Sequence, residues 1–123
     1  MKEMSYRDLF PILASEHVQF KEVGVTLDAT KFPNGIIHAG YCIALNGDTG
    51  KWEPYQVEGI YVDYGVTVAY FENDGINDTI FGQTIVRGSV FKKKLKNYSV
   101  LFAQKTPMIR YVTESFIGTN NYY

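Results

Sequence analysis

One cysteine, two histidines and one tryptophan in 123 residues leave little from which to build reactive chemistry. A single cysteine excludes an internal disulfide framework, and the place of Cys42 in an apolar stretch marks it as a buried, inert thiol. His38 falls on the small-residue side of a strand-like run, where a lone histidine is more often a hydrogen-bonded structural residue than a base. No serine stands in a nucleophile elbow, and no glycine run has the spacing of a phosphate-binding loop that opens a helix. Charge of one sign is missing too. Twelve Lys and Arg against thirteen Asp and Glu give a net charge of −1, without the basic excess that neutralises nucleic-acid phosphate. No apolar run approaches the ~20 residues that span a bilayer, and the Met-Lys-Glu-Met start lacks the apolar core of a secretory signal. These absences predict a soluble protein made in the cytoplasm. It is expected not to be an enzyme, to have no cofactor or metal, and to have neither nucleic acid nor membrane as a partner.

What the chain does have is apolar and aromatic surface: 46% hydrophobic residues, with ten tyrosines and eight phenylalanines. That is ample for one domain's core, and the tyrosine surplus points to a protein interface. From Gly40 to Tyr55 the sequence packs a strand, a turn and a second strand into GYCIALNGDTGKWEPY. Ile37, Ala39, Tyr41, Ile43 and Leu45 alternate with Ile36, His38, Gly40, Cys42 and Ala44, so an extended run would be bulky on one face and small on the other. Asn46-Gly47 is the strongest reversal signal, since both residues tolerate the positive φ of a two-residue hairpin turn.

Other stretches follow the same logic. Val23, Val25 and Leu27 alternate with polar neighbours from Glu22 to Asp28 and predict a half-buried strand. Pro33-Asn34-Gly35 is a turn, and Gln56 to Gly65 is an irregular loop carrying tyrosines. Strands are predicted from Val66 to Phe71 and from Thr79 to Val86. The second is broken at Gly82, where a bulge or a close backbone is expected, and Arg87-Gly88 is a further break. Val100 to Ala103 alternates, and a last strand follows Pro107. Lys92, Lys93, Lys94 and Lys96 read as a solvated edge or turn. Asp74, Asn77 and Asp78 are oxygen-bearing side chains at a spacing suited to Ca²⁺, but they do not match the EF-hand loop, and turn chemistry accounts for them.

The start is ambiguous. Ser5 to Asp8 has capping-box spacing, yet Pro11 interrupts a simple helix. Either a short helix runs from Pro11 to about Val18 or the segment is an extended arm, and its apolar side chains either join the domain's core or dock on a partner. The whole reads as a mainly β, small single domain with at most one or two short helices. It comprises an N-terminal arm over residues 1–21 and a β-rich domain over 22–123.

GYCIALNGDTGKWEPY, then GVTVAYFENDGINDT from Gly65 to Thr79, then VRGSVFKKKL from Val86 to Leu95 together resemble the lambda-type bacteriophage head decoration proteins. The likeness runs from about Ile36 to Leu95 and lies in glycines and turn residues. It implies a homotrimer bound to the major capsid protein on the outer surface of an expanded phage head, stabilising the shell against internal DNA pressure. It also implies that the arm orders on the capsid, which makes Tyr6, Leu9, Phe10, Ile12 and Leu13 the expected capsid-binding residues. A competing reading is a small β binding module for a glycan or peptide on a phage or cell surface, with tyrosines as stacking platforms.

Overall fold

The computed structural model of the chain describes residues 12–14, 18–21 and 24–113. Among them are ten strands: β1 (Gln19–Phe20), β2 (Val25–Leu27), β3 (Gly35–Ile37), β4 (Cys42–Asn46), β5 (Lys51–Pro54), β6 (Asp63–Thr67), β7 (Phe71–Asn73), β8 (Thr79–Phe81), β9 (Thr84–Phe91) and β10 (Ile109–Val112). One 3-10 turn (Lys92–Lys94) and one short helix, α1 (Val100–Lys105), complete the list of elements. The main sheet runs β1-β9-β6-β4-β5-β2-β8, with β10 added along β9, while β3 and β7 form a separate ribbon. The sheet curls into a half-barrel, so the mainly β, single-domain expectation holds.

β4 is the wall between two cores, and the alternation of its residues explains why. Cys42 and Ala44 face a first cluster with Leu13, Tyr55, Val66, Ile85, Val90 and Phe102. Tyr41 and Ile43 face a second with Leu27, Phe32, Trp52, Phe71 and Phe81. Small residues on one side of the strand leave room for large side chains delivered by other elements. The run from Ile36 to Leu45 is nevertheless not one strand. Gly40 takes φ +107°, and a Cβ there would lie 2.5 Å from the Lys94 carbonyl oxygen. A side chain cannot fit where two backbones pass so closely. The chain bends there, sending β3 to the ribbon and β4 to the main sheet.

The reversal after β4 also differs from the two-residue turn expected. Asn46 pairs with Lys51 across an intervening Gly47–Gly50 loop, and the positive φ falls at Gly50 (+71°). The Asn46 side-chain oxygen accepts a hydrogen bond from the Asp48 N–H at 2.8 Å, so asparagine acts here through its side chain.

β9 is the hub. Ile85 pairs with Phe20 on one side and Val66 on the other, and Val90 lies between Leu13 and Tyr111. With both edges engaged, β9 continues straight through Arg87-Gly88, where a break was expected. At Gly82 the chain does break, but a Cβ there would meet open space. The interruption is instead the crossover from β8 at one end of the sheet to β9 near the other. The strand predicted from Val66 to Phe71 starts earlier and splits, because β6 belongs to the main sheet and β7 to the ribbon.

The alternation at Val100 to Ala103 is helical rather than extended. The Ser99 hydroxyl caps the helix, accepting from the Phe102 N–H at 3.1 Å, and Pro107 follows its end. Phe102 and Thr106, one turn apart, are buried, while Val100 and Leu101 are exposed.

Candidate interaction surface

Of the residues expected to touch a capsid, Tyr6, Leu9 and Phe10 lie outside the described residues. Ile12 and Leu13 are described, and they are 3% and 0% exposed in the first core. Main-chain bonds hold them there: the Phe91 N–H donates to the Ile12 carbonyl at 2.9 Å, and the Ala14 N–H donates to the Ser89 carbonyl at 2.9 Å. Farther along, Lys21 pairs with Asp63 at 2.7 Å, and its N–H donates to the Thr84 carbonyl at 2.9 Å. The described parts of the expected arm thus belong to the body, and the boundary after residue 21 moves back at least to Ile12. Side chains this deeply packed cannot also reach a partner, so the docking role expected of Ile12 and Leu13 is withdrawn. The physical reason is the open edge of β9, which an apolar segment of the same chain satisfies with no loss of translational freedom.

The tyrosine surplus is mostly absorbed by the interior. Tyr55 meets Phe102 edge to face at 5.0 Å between ring centroids, and Tyr61 and Tyr64 lie 5.8 and 6.0 Å from Tyr55. Burial raises the hydroxyl pKa of Tyr61 and Tyr64 above the ordinary value. Tyr41 stacks against Phe32 at 5.4 Å, and Tyr111 shares a 2.7 Å hydrogen bond with Thr106. Among the described tyrosines only Tyr70 is largely exposed.

What the surface does present is aliphatic. Beside α1 a groove of about 320 Å³ is floored by Tyr55, Tyr61 and Tyr64 and rimmed by Val57, Ile60, Leu101 and Lys105. Ile60 is 92% exposed. Sequence reasoning missed this rim. Its signal was present, as a Val57 and an Ile60 stranded in a loop with no strand partner. A second exposed apolar set lies on the other side of β4, on the outer face of the β3–β7 ribbon and on β8: Ile36, Tyr70, Ile76 and Ile80. Between them Glu72, Asp74 and Asp78 line a shallow polar cleft.

The acidic loop is held by its own turn. Asp74 accepts from the Asn77 and Ile76 N–H groups at 2.7 and 2.8 Å, which together lower its carboxyl pKa below the usual range. Asp78 accepts from the Ala29 N–H and pairs with Lys51 at 2.7 Å. The Ala29 and Lys51 contacts lower its pKa likewise. The lysine run forms the exposed 3-10 turn, where Lys92 lies 5.9 Å from the Tyr98 ring, Lys94 5.3 Å from Phe91 and, just beyond, Lys96 5.8 Å from Tyr41. Cys42 is fully buried and its thiol pKa is driven up by desolvation. His38 is exposed between β3 and β4, not on a strand face, and His17 lies outside the described residues. No group of His, Cys, Asp and Glu suited to a metal ion occurs among the described residues. None of their helices is long and apolar enough to cross a membrane.

Comparison with protein-family models, with curated proteins and with solved structures finds no match for this chain.

Proposed function

We propose that this chain is a structural virion protein. It binds the outer surface of an expanded phage capsid as a homotrimer and stabilises the shell against the pressure of packaged DNA. The observation that carries the reading is how the stretches resembling head decoration proteins come together. Those around Gly40–Tyr55, Gly65–Thr79 and Val86–Leu95 are far apart in sequence, yet supply β5, β4, β6 and β9, which are consecutive in the sheet. The likeness is therefore to one continuous slab rather than to scattered turns. The slab carries apolar patches on its surface, as suits a protein that works by covering area.

The energetic logic is mass action. A protein that binds the expanded shell and not its precursor or its separated subunits stabilises the expanded state by the free energy of that binding. Leu9 and Phe10 precede the segment that closes the first core, and with Tyr6 they are the apolar side chains of the proposed capsid contact. Backbone pairing with a capsid strand is a grip open to such a segment.

The test uses expanded shells of the cognate major capsid protein. Full-length protein saturates expanded shells and leaves unexpanded ones bare, and removal of Met1–Pro11 abolishes binding while the domain stays folded. Equal occupancy after that deletion would remove the arm from the reading. Failure of the full chain to bind any shell would sink the reading itself. In that event the alternative is a small β binding module, for which the groove beside α1 favours an apolar peptide over a glycan. Its tyrosine rings are packed against one another and offer no flat exposed face.

A further inference from the structure

We infer that copies of this chain contact one another head to tail, the groove beside α1 on one copy receiving the outer face of the β3–β7 ribbon and β8 of the next. The inference rests on the trimeric reading above for the number of copies in the ring. The choice of surfaces rests on the structure alone.

The chain exposes two apolar sets, and they lie on opposite sides of the β4 wall. The groove overlies the first core through Tyr55, Tyr64 and Phe102; the ribbon overlies the second through Ile37 and Phe71. One set is concave, around Val57, Ile60 and Leu101. The other is the outside of a two-stranded ribbon and its neighbouring edge strand, from which Ile80, 79% exposed, projects.

Charge matches across the pair. Lys105 is the charged side chain that lines the groove, and no described acid lies within ion-pair distance of it. Glu72 stands on the ribbon face opposite Ile36, and among the described residues no cation pairs with it. An unpaired cation at the edge of one apolar patch and an unpaired anion within the other set the register of a contact between them.

Symmetry then restricts the assembly. A surface that pairs with itself makes a two-fold dimer, whereas two different surfaces that pair make a ring when the rotation closes. Three copies cannot be joined by isologous contacts alone, so a trimer of this chain needs two complementary surfaces of the kind described.

The experiment joins single-cysteine variants of the full chain. Ile60→Cys and Ile80→Cys are made separately, one carrying a size tag, and treated with a short bifunctional maleimide. The native Cys42 is fully buried and the unsubstituted protein serves as its control. Mixing the two variants yields a cross-linked pair with one of each, neither variant alone cross-links to itself, and the double variant closes into a covalent trimer. Lys105→Glu on the Ile60→Cys chain lowers the mixed yield by about two- to fivefold, the scale of one rim ion pair, and Glu72→Lys on the partner chain restores it. Self-cross-linking of either variant, or no cross-link in the mixture, overturns the inference. Shell binding measured on the same samples separates the two proposals. Intact shell binding without the mixed cross-link defeats this interface alone, and a mixed cross-link without shell binding defeats the capsid reading alone.

Discussion

The two cores on either side of β4 are filled in different ways. The first is largely aliphatic around Phe102 and gathers residues from Ile12 to Ile109, nearly the whole described span. The second is aromatic, with Phe32, Phe71 and Phe81 meeting at 5.3 to 5.5 Å, and draws only on Val25 to Phe81. Small side chains on β4 cause the difference. Cys42 and Ala44 leave volume that local neighbours cannot fill, so the first core depends on the two ends of the described chain. Tyr41 and Ile43 fill their own side. A core that needs remote segments is complete only when both arrive, and loss of either exposes the other.

Four measurements sharpen or break that contrast. The largest expected effect is Phe102→Ala. It removes the ring shared by the first core and the groove floor and costs about 3–5 kcal/mol, read as a drop in the denaturation midpoint. Leu13→Ala should cost about 2–5 kcal/mol, although Leu13 lies in a segment that the sequence offers as a docking arm. An unchanged midpoint would return it to that role. Truncation through Phe20 should for the same reason unfold or strongly destabilise the domain, whereas truncation through Pro11 should not. Gly40→Ala forces a side chain onto positive φ against the Lys94 carbonyl and is expected to cost about 1–3 kcal/mol, with no comparable loss from alanine at the open Gly82.

The smallest effect concerns acid. Asp74 has its carboxyl pKa lowered by the Asn77 and Ile76 N–H groups. A folded value below the unfolded one of about 3.9 means that its contribution is present above that pH. The contribution is lost as pH falls through the lowered value. Asp74→Asn should therefore flatten the acid limb of the stability curve and leave neutral stability nearly unchanged. A steeper limb in the variant would contradict the assigned bonds.

Much of the fold is legible in the residues. Val25 and Leu27 announce β2, Pro33-Asn34-Gly35 announces its turn, and the small and bulky faces of β4 announce two layers. The misreadings share one cause, namely that local pattern is silent about which strand a segment will join. Ile36 to Leu45 looks continuous until Gly40 must pass under Lys94. Arg87-Gly88 looks like a break until both edges of β9 are paired. Val100 to Ala103 has too few residues to separate two periods, and only the Ser99 cap and the burial of Phe102 and Thr106 decide for a helix. The candidate surface was less legible. The tyrosines that suggest an interface pack mostly inward, and the aliphatic rim that replaces them becomes a rim only when Leu101 of α1 meets the 56–62 loop.

By itself the sequence determined a mainly β chain poor in catalytic side chains, because turn residues, alternation and the scarcity of titratable groups act locally and need no neighbours. Tertiary structure alone decided that Ile12 and Leu13 close a core instead of extending from it, and that two apolar patches end up on opposite sides of one strand. Burial is a property of what surrounds a side chain, and those surroundings come from positions that no local pattern connects.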